Sequence, residues 1–357
     1  MSETRSGDEW PSDGLERVAE CPVCADTQRV VLYAGLTDRD YRCASGSWTL
    51  WTCQGCGAAY LDPRPTRDSI ALAYTNYYED APDPRERLQR SSAGHRKFRR
   101  AIRNGYLSAR FRSALTPASG LGPTVMRFLP RQRQLADRAV MYLQRPREHA
   151  SLLDVGCGDG SFLLLMQAAG WTVMGIDPSR DAAVLAQRAG LDVRPSTLEA
   201  DDLPKDWFDA VTMSRVLELL HDPVEALTTC KEILRPNGVI ALATPNLSSQ
   251  GHALFRDDWL LLSPPRSLVL FTPESLIYAL KRAGLEPISF FPARTTGWTY
   301  RLSVALAAGA APFDNPPPLA PRLRLKAWIA EQRATRDPLV GEELILIARR
   351  PAIAATS

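Results

Sequence analysis

The 357-residue chain has no apolar run approaching the length of a membrane-spanning helix. Its first twenty residues, Met1 to Glu20, are polar and acidic, without the basic start and apolar stretch of a secretory signal. These two absences point to a cytoplasmic protein. No internal repeat is present, which excludes a repeat array. There is little net charge, +3, too little to assign a partner class. Cysteines number seven, and in a reducing compartment close pairs of them suggest metal rather than disulfides. What remains is ordinary for a globular protein. Hydrophobic residues make up 45% and charged residues 23%, and the length exceeds what one average domain needs.

The texture changes along the chain. Residues 1–19 read as a disordered tail, and residues 20–66 as a short cysteine-bearing module. Residues 67–148 read as a helical, arginine-rich arm, opening with a tyrosine-bearing helix over Ile70–Tyr78. The arm is broken by Gly120, Gly122 and Pro123. From 149 to 351, apolar strands alternate with amphipathic helices, followed by a tail over 352–357. The spacing predicts strands at Leu152–Val155, Thr172–Ile176, Asp192–Arg194, Phe208–Met213, Val239–Ala243, Glu286–Phe291 and Leu344–Ala348. Helices such as Phe162–Ala169 and Val224–Leu234 fall between them. This alternation predicts an α/β fold, a largely parallel sheet with helices on both faces.

Cys21-Pro22-Val23-Cys24 and Cys53-Gln54-Gly55-Cys56 are two C-x-x-C knuckles. Each places two thiolates on one side of a tight turn, and together they supply four soft ligands suited to tetrahedral zinc. Four protein ligands leave no open position, so the expected zinc at Cys21, Cys24, Cys53 and Cys56 is structural. Cys43, Cys157 and Cys230 read as packing residues.

The sharpest motif is Leu152-Leu153-Asp154-Val155-Gly156-Cys157-Gly158-Asp159-Gly160, which ends a strand and opens a helix. Glycines allow a tight turn and close approach of a ligand, and the helix N–H groups can receive an anion. A second strand ends at Asp177, where a carboxylate can accept from two ribose hydroxyls. The dinucleotide fingerprint G-x-G-x-x-G would need a third glycine where Ser161 stands.

These residues resemble the class I S-adenosylmethionine-dependent methyltransferases. Trp207-Phe208-Asp209-Ala210-Val211, Leu234-Arg235-Pro236-Asn237-Gly238 and Thr244-Pro245-Asn246 are similar to that family's fourth strand, the turn before the fifth, and the fifth strand's end. Pro264-Pro265-Arg266-Ser267-Leu268 through Leu276 resembles a substrate-side loop. The resemblance implies a Rossmann-like seven-stranded sheet with its last strand antiparallel, and S-adenosyl-L-methionine as cofactor. It implies that Asp154, Gly156, Gly158 and Asp177 hold that cofactor, with Leu198 on the adenine and Ser214 toward the methionine portion. Ala58 to Pro65, with Tyr74, Tyr77 and Tyr78, is similar to a subgroup bearing an N-terminal zinc ribbon. There the module covers the acceptor side, so Tyr74 and Tyr78 could lie over the cofactor.

The chain departs from that subgroup at two positions. Leu219 and Ser267 stand where the subgroup has histidines, which puts its usual base in doubt. His221 and His252 are the nearby substitutes, and His221 is the candidate base. The expected acceptor is a small molecule, whether a sugar, a lipid-linked compound or a natural-product intermediate, and it could be anionic. An RNA-modifying enzyme and a non-catalytic binding protein are the alternatives. Against RNA, Met213-Ser214-Arg215-Val216 stands where a base-amino methylase carries N-P-P-[YF]. The arginine-rich arm reads three ways: a solvated helical face, an anion-facing surface for nucleic acid or a diphosphate, or a peripheral membrane contact.

Overall fold

The computed structural model describes residues 10–74, 94–314 and 316–352. Its N-terminal part forms β1 (Leu15–Glu16), β2 (Arg29–Leu36), β3 (Trp48–Cys53), β4 (Ala59–Leu61) and β5 (Arg64–Pro65). Where a tail is expected over 1–19, residues 10–19 are instead folded. Trp10 is buried edge-on against Trp48, with ring centroids 5.3 Å apart, and β1 pairs antiparallel with β5. The segment is polar in composition, but one tryptophan brings enough apolar area to fix it. The expected helix over Ile70–Tyr78 appears as a 3-10 turn at Ile70–Tyr74, with Tyr74 packed against the core. Tyr77 and Tyr78 lie outside the described residues.

The arm contributes α1 (Gly94–Phe111), α2 (Gly122–Arg127) and α3 (Pro130–Ala139). Ile102, Tyr106, Leu107, Phe111 and Met126 bury one side of it against the main sheet. There the Tyr106 hydroxyl donates to Asp137 at 2.7 Å.

The main sheet is built from β6 (Ser151–Val155), β7 (Thr172–Asp177), β8 (Val193–Pro195), β9 (Phe208–Ser214) and β10 (Leu234–Pro245). After β11 (Val269–Leu270), which lies elsewhere, β12 (Glu286–Phe291) and β13 (Glu343–Arg349) complete it. Between the strands run α4 (Ser161–Ala168), α5 (Arg180–Arg188), α6 (Pro223–Ile233), α7 (Gln250–Phe255), α8 (Pro273–Arg282), α9 (Thr296–Ala307) and α10 (Pro321–Arg336). The strand order is β12-β13-β10-β9-β6-β7-β8, with β13 antiparallel to both neighbours and the remaining pairs parallel. This is the α/β, Rossmann-like seven-stranded sheet that the sequence implies. All five residues of β6 are buried because helices cover both faces. Strand β10 begins five residues earlier than expected, at Leu234, and its register with β9 shifts across Asn237, whose φ is +65°.

The N-terminal module is joined to the main unit by backbone and by charge. Strand β11 pairs antiparallel with β4, so the module's sheet reads β11-β4-β3-β2 and takes its edge from a chain segment some two hundred residues on. Just before β11, Arg266 is almost fully buried. Its guanidinium donates to Asp38 at 2.5 and 3.0 Å, to Asp40 at 2.6 Å and to the Ala73 carbonyl at 3.1 Å, and the Tyr41 ring lies over it at 4.5 Å. Cys43 packs here too, its thiol 3.1 Å from the Ala73 carbonyl. Removing the cation would leave two buried carboxylates uncompensated. Arg266→Met is therefore expected to cost about 3–5 kcal/mol of folding stability. Urea denaturation checks this, and an unchanged midpoint would show that the clamp contributes nothing.

Candidate functional site

The glycine loop closes the top of β6. Gly156, Gly158 and Gly160 have φ of +69°, +53° and +77°, a region that side chains disfavour. At Gly156 a Cβ would also meet the Val216 side chain at 2.5 Å. Beyond the loop lies a cavity of about 430 Å³, whose walls include Asp154, Gly156, Ser161, Phe162, Thr212 and Ser214. Helix α3 covers it with Leu135, Arg138 and Ala139, and Met141 follows in a left-handed conformation at φ +50°. A non-glycine residue held there is strained, as is common beside binding sites.

The carboxylate of Asp154 is buried in this cavity wall. Its hydrogen-bond donor among the described residues is Thr212 Oγ1, at 2.6 Å. Burial pushes its pKa up to about 7, while the Thr212 bond pulls the other way. Ser161 Oγ, also in the wall, has no hydrogen-bond partner among the described residues. Such a cavity suits a ligand with an ammonium group for Asp154 and a polar group for Ser161.

Asp177 is buried at the end of β7 and braces the glycine loop: Oδ2 accepts from the Gly158 N–H at 2.9 Å and Oδ1 from the Ser179 N–H at 2.9 Å. Burial raises its pKa. It does not line the cavity itself, although the second lone pair on each oxygen stays available to a hydroxyl. Leu198 is buried in the main core, and Ser214 is exposed at the cavity edge. His221 is not brought to the cavity. Its Nε2 lies 2.9 Å from the Pro65 carbonyl, and burial pushes its pKa down. Arg64 also donates to the His221 carbonyl at 2.9 Å, so the residue holds the module onto the main unit. His252 is equally engaged, with Nδ1 2.6 Å from the Leu247 carbonyl and Nε2 2.9 Å from the Tyr33 hydroxyl.

Beside Ser214 lies a charged network that sequence reading missed. Arg215, at φ +63°, pairs with buried Glu218 at 2.9 Å and approaches Glu343 at 3.7 Å. Glu343 also accepts from Arg138 at 2.6 Å, and Glu218 from Thr244 at 2.9 Å. Burial alone would raise the Glu343 pKa; Arg138 and Arg215 outweigh it and hold the carboxylate ionised. The side chains come from α3, β10, β13 and the turn after β9, so no local pattern could have announced them.

The four knuckle cysteines form the second centre. Their sulfurs all lie within 4.8 Å of one another, with Cys21–Cys56 at 3.7 Å and Cys24–Cys53 at 3.4 Å. Zinc held at about 2.3 Å from each of four tetrahedral thiolates would separate them by roughly 3.8 Å. Both knuckles fold alike. Ala25 and Gly57, each following the second cysteine, have φ of +62° and +77° and donate their N–H to the carbonyls of Cys21 and Cys53.

A family model described as "Methyltransferase domain" matches residues 128–289. A ubiquinone biosynthesis O-methyltransferase of Dinoroseobacter shibae is 32% identical over 170 residues, covering 44% of this chain and 68% of the relative. The chain belongs to the class I S-adenosylmethionine-dependent methyltransferases. A second relative of this methyltransferase, with the same description, comes from Cereibacter sphaeroides and is 31% identical over 44% of this chain and 70% of its own. A solved S-adenosylmethionine-dependent methyltransferase from Methanosarcina mazei overlays with a TM-score of 0.41, at 16% identity, covering 58% of this chain and 96% of its own. The family match and the relatives make the protein an S-adenosylmethionine-dependent methyltransferase. Among the described residues no helix is long and apolar enough to cross a membrane.

Proposed function

We propose that this methyltransferase places the methyl group on a hydroxyl oxygen of a lipid-linked small molecule. The observation that carries the methyl-transfer part of this reading is the 430 Å³ cavity in which the buried Asp154 carboxylate and Ser214 converge beyond the glycine loop. Support for oxygen as the accepting atom, and for a lipid-linked acceptor, comes from the relatives named for O-methylation in ubiquinone biosynthesis. When bound, the cofactor supplies an electrophilic methyl group on a sulfonium. Asp154 holds the ammonium, with Thr212 fixing the carboxylate's orientation. N–H groups in the first turn of α4 would receive the cofactor carboxylate. Asp177 would take the ribose hydroxyls while bracing Gly158, Leu198 would pack toward the adenine, and Ser214, at the cavity edge, would border the methionine portion. With His221 and His252 both engaged elsewhere, acceleration rests mainly on positioning acceptor and methyl in line. Cys21, Cys24, Cys53 and Cys56 hold one structural zinc.

The test is incorporation of radiolabelled methyl groups into lipid, small-metabolite and RNA fractions of a cell extract. The label is expected in the lipid fraction, in an alkali-stable ether. Label in RNA, or exclusively in water-soluble metabolites, would overturn the acceptor class. Cofactor binding without any transfer would overturn catalysis by this site.

A further inference from the structure

One surface is unlike the rest of the molecule. Residues 97–139 hold ten lysines and arginines against one acid, Asp137, and that acid is buried against Tyr106. On the same segment large apolar side chains stand in solvent: Phe98 is 64% exposed, Leu121 62% and Phe128 77%, with Leu129 and Leu135 also exposed. Exposed Phe128 and Leu129 lie between Arg127 and Arg131, at the corner joining α2 to α3. Far along the chain, α10 repeats the pattern. It carries five basic residues against one acid, Glu331, and leaves Leu325, Trp328 and Ile329 exposed, Trp328 by 60%.

Folding brings these two segments to one edge. Arg294 contacts the Gln134 side chain on α3 and pairs with Glu331 on α10 at 2.9 Å. Trp328 stands one turn before Glu331, on neighbouring parts of the α10 surface. The edge also adjoins the cofactor cavity, since Leu135 and Arg138 of α3 line it. Together the two segments carry a charge of +13 in a chain whose total is +3, so the rest of the sequence sums to −10.

We propose that this edge, formed by the α2–α3 corner and α10, docks on an anionic lipid surface, with Phe128, Leu129 and Trp328 entering the interfacial region and the arginines meeting headgroup phosphates. Isolated exposed apolar residues need no explanation, but several of them interleaved with arginines on one edge do. Basic charge supplies attraction to anionic lipid, and aromatic and leucine side chains supply insertion. Nucleic acid would use the arginines but has no use for exposed leucines. Docking would set the cavity mouth at the membrane, where a lipid-linked acceptor resides. The basic, apolar edge is present whatever the acceptor is, so docking can stand if that reading fails.

The experiment is flotation of the full-length protein with vesicles of phosphatidylcholine alone or with about a third phosphatidylglycerol, across a salt series. Binding is expected only with the anionic vesicles and should weaken with salt. Arg127→Ala with Arg131→Ala should lower partitioning about fivefold for each charge removed. Phe128→Asp with Leu129→Asp should abolish it, and Trp328→Ser should reduce it. Calorimetric binding of S-adenosylmethionine serves as the folding control, and none of these substitutions touches the cavity wall. Brominated lipids should quench tryptophan emission in the wild type and less in the Trp328→Ser variant. Equal binding to neutral and anionic vesicles, or no vesicle binding, would overturn the proposal. So would tight RNA binding that survives Phe128→Asp, or a dimer dispersed by that substitution without lipid binding.

Discussion

Asp154→Asn is expected to weaken S-adenosylmethionine binding by about 1.5–3 kcal/mol, roughly ten- to 150-fold, the range for a hydrogen bond to a charged group. The carboxylate has only neutral Thr212 as donor among the described residues, so the bound ammonium would be its counter-charge. The binding should also depend on pH in a particular direction. Burial pushes the Asp154 carboxyl up to about 7 in the free protein. An ammonium binds the ionised form, so affinity should fall as pH drops below about 7, and the asparagine variant should lose that dependence. Stability runs the other way. A carboxyl raised on folding contributes stability below its ordinary range, and that contribution is lost as pH rises through about 7. Glu342, buried beside Trp259 and also pushed up to about 7, acts in the same sense. The free enzyme should therefore melt lower at pH 8 than at pH 6, and the cofactor should raise its melting temperature more at pH 8. Calorimetry and thermal melts across this range check both. Wild-type affinity in the asparagine variant with an unchanged pH slope would remove Asp154 from the site.

The largest loss of stability is expected from Cys24→Ser combined with Cys56→Ser. Structural zinc in comparable four-ligand modules contributes about 10–16 kcal/mol of apparent binding energy. Protein purified without chelator should hold one zinc per chain by metal analysis, and the double variant none. The damage should spread past the module. Strand β4 pairs with β11, and Asp38 and Asp40 hold Arg266, so an unfolded module would strip an edge from the main unit and leave that arginine buried and unpaired. Poor solubility and a lower, broader melt should follow. A metal-free double variant melting like the wild type would rule out a structural metal.

Much of this protein is written locally. Most of the seven strands of the main sheet were legible because they are short apolar runs bounded by turn residues; β8, Val193-Arg194-Pro195, is not such a run. The glycine loop was legible because three positive-φ positions within five residues demand glycine. The cysteine knuckles were legible because both ligands of each pair sit on one turn. The same features led to the cofactor and to Asp154 and Asp177.

Other features depend on distance along the chain. A two-residue strand such as Val269–Leu270 has no periodicity to read, and only its pairing with β4 makes it a strand. Residues 10–19 looked too polar to fold because the partner of Trp10, Trp48, lies on another strand. His221 looked like a candidate base by its proximity in sequence to a lost histidine. The Pro65 carbonyl, brought over it by the folded module, assigns it to docking. The sequence by itself determined the sheet, the glycine loop and the pairing of cysteines into two knuckles, because those follow from the identity of near neighbours. Only the tertiary structure decided where the module sits, which charges neutralise one another, and that α3 and α10 form one basic, apolar edge. Such contacts join residues more than two hundred positions apart, as Arg266 and Asp38 are, and side-chain identity alone does not say which of many possible partners a buried charge will meet.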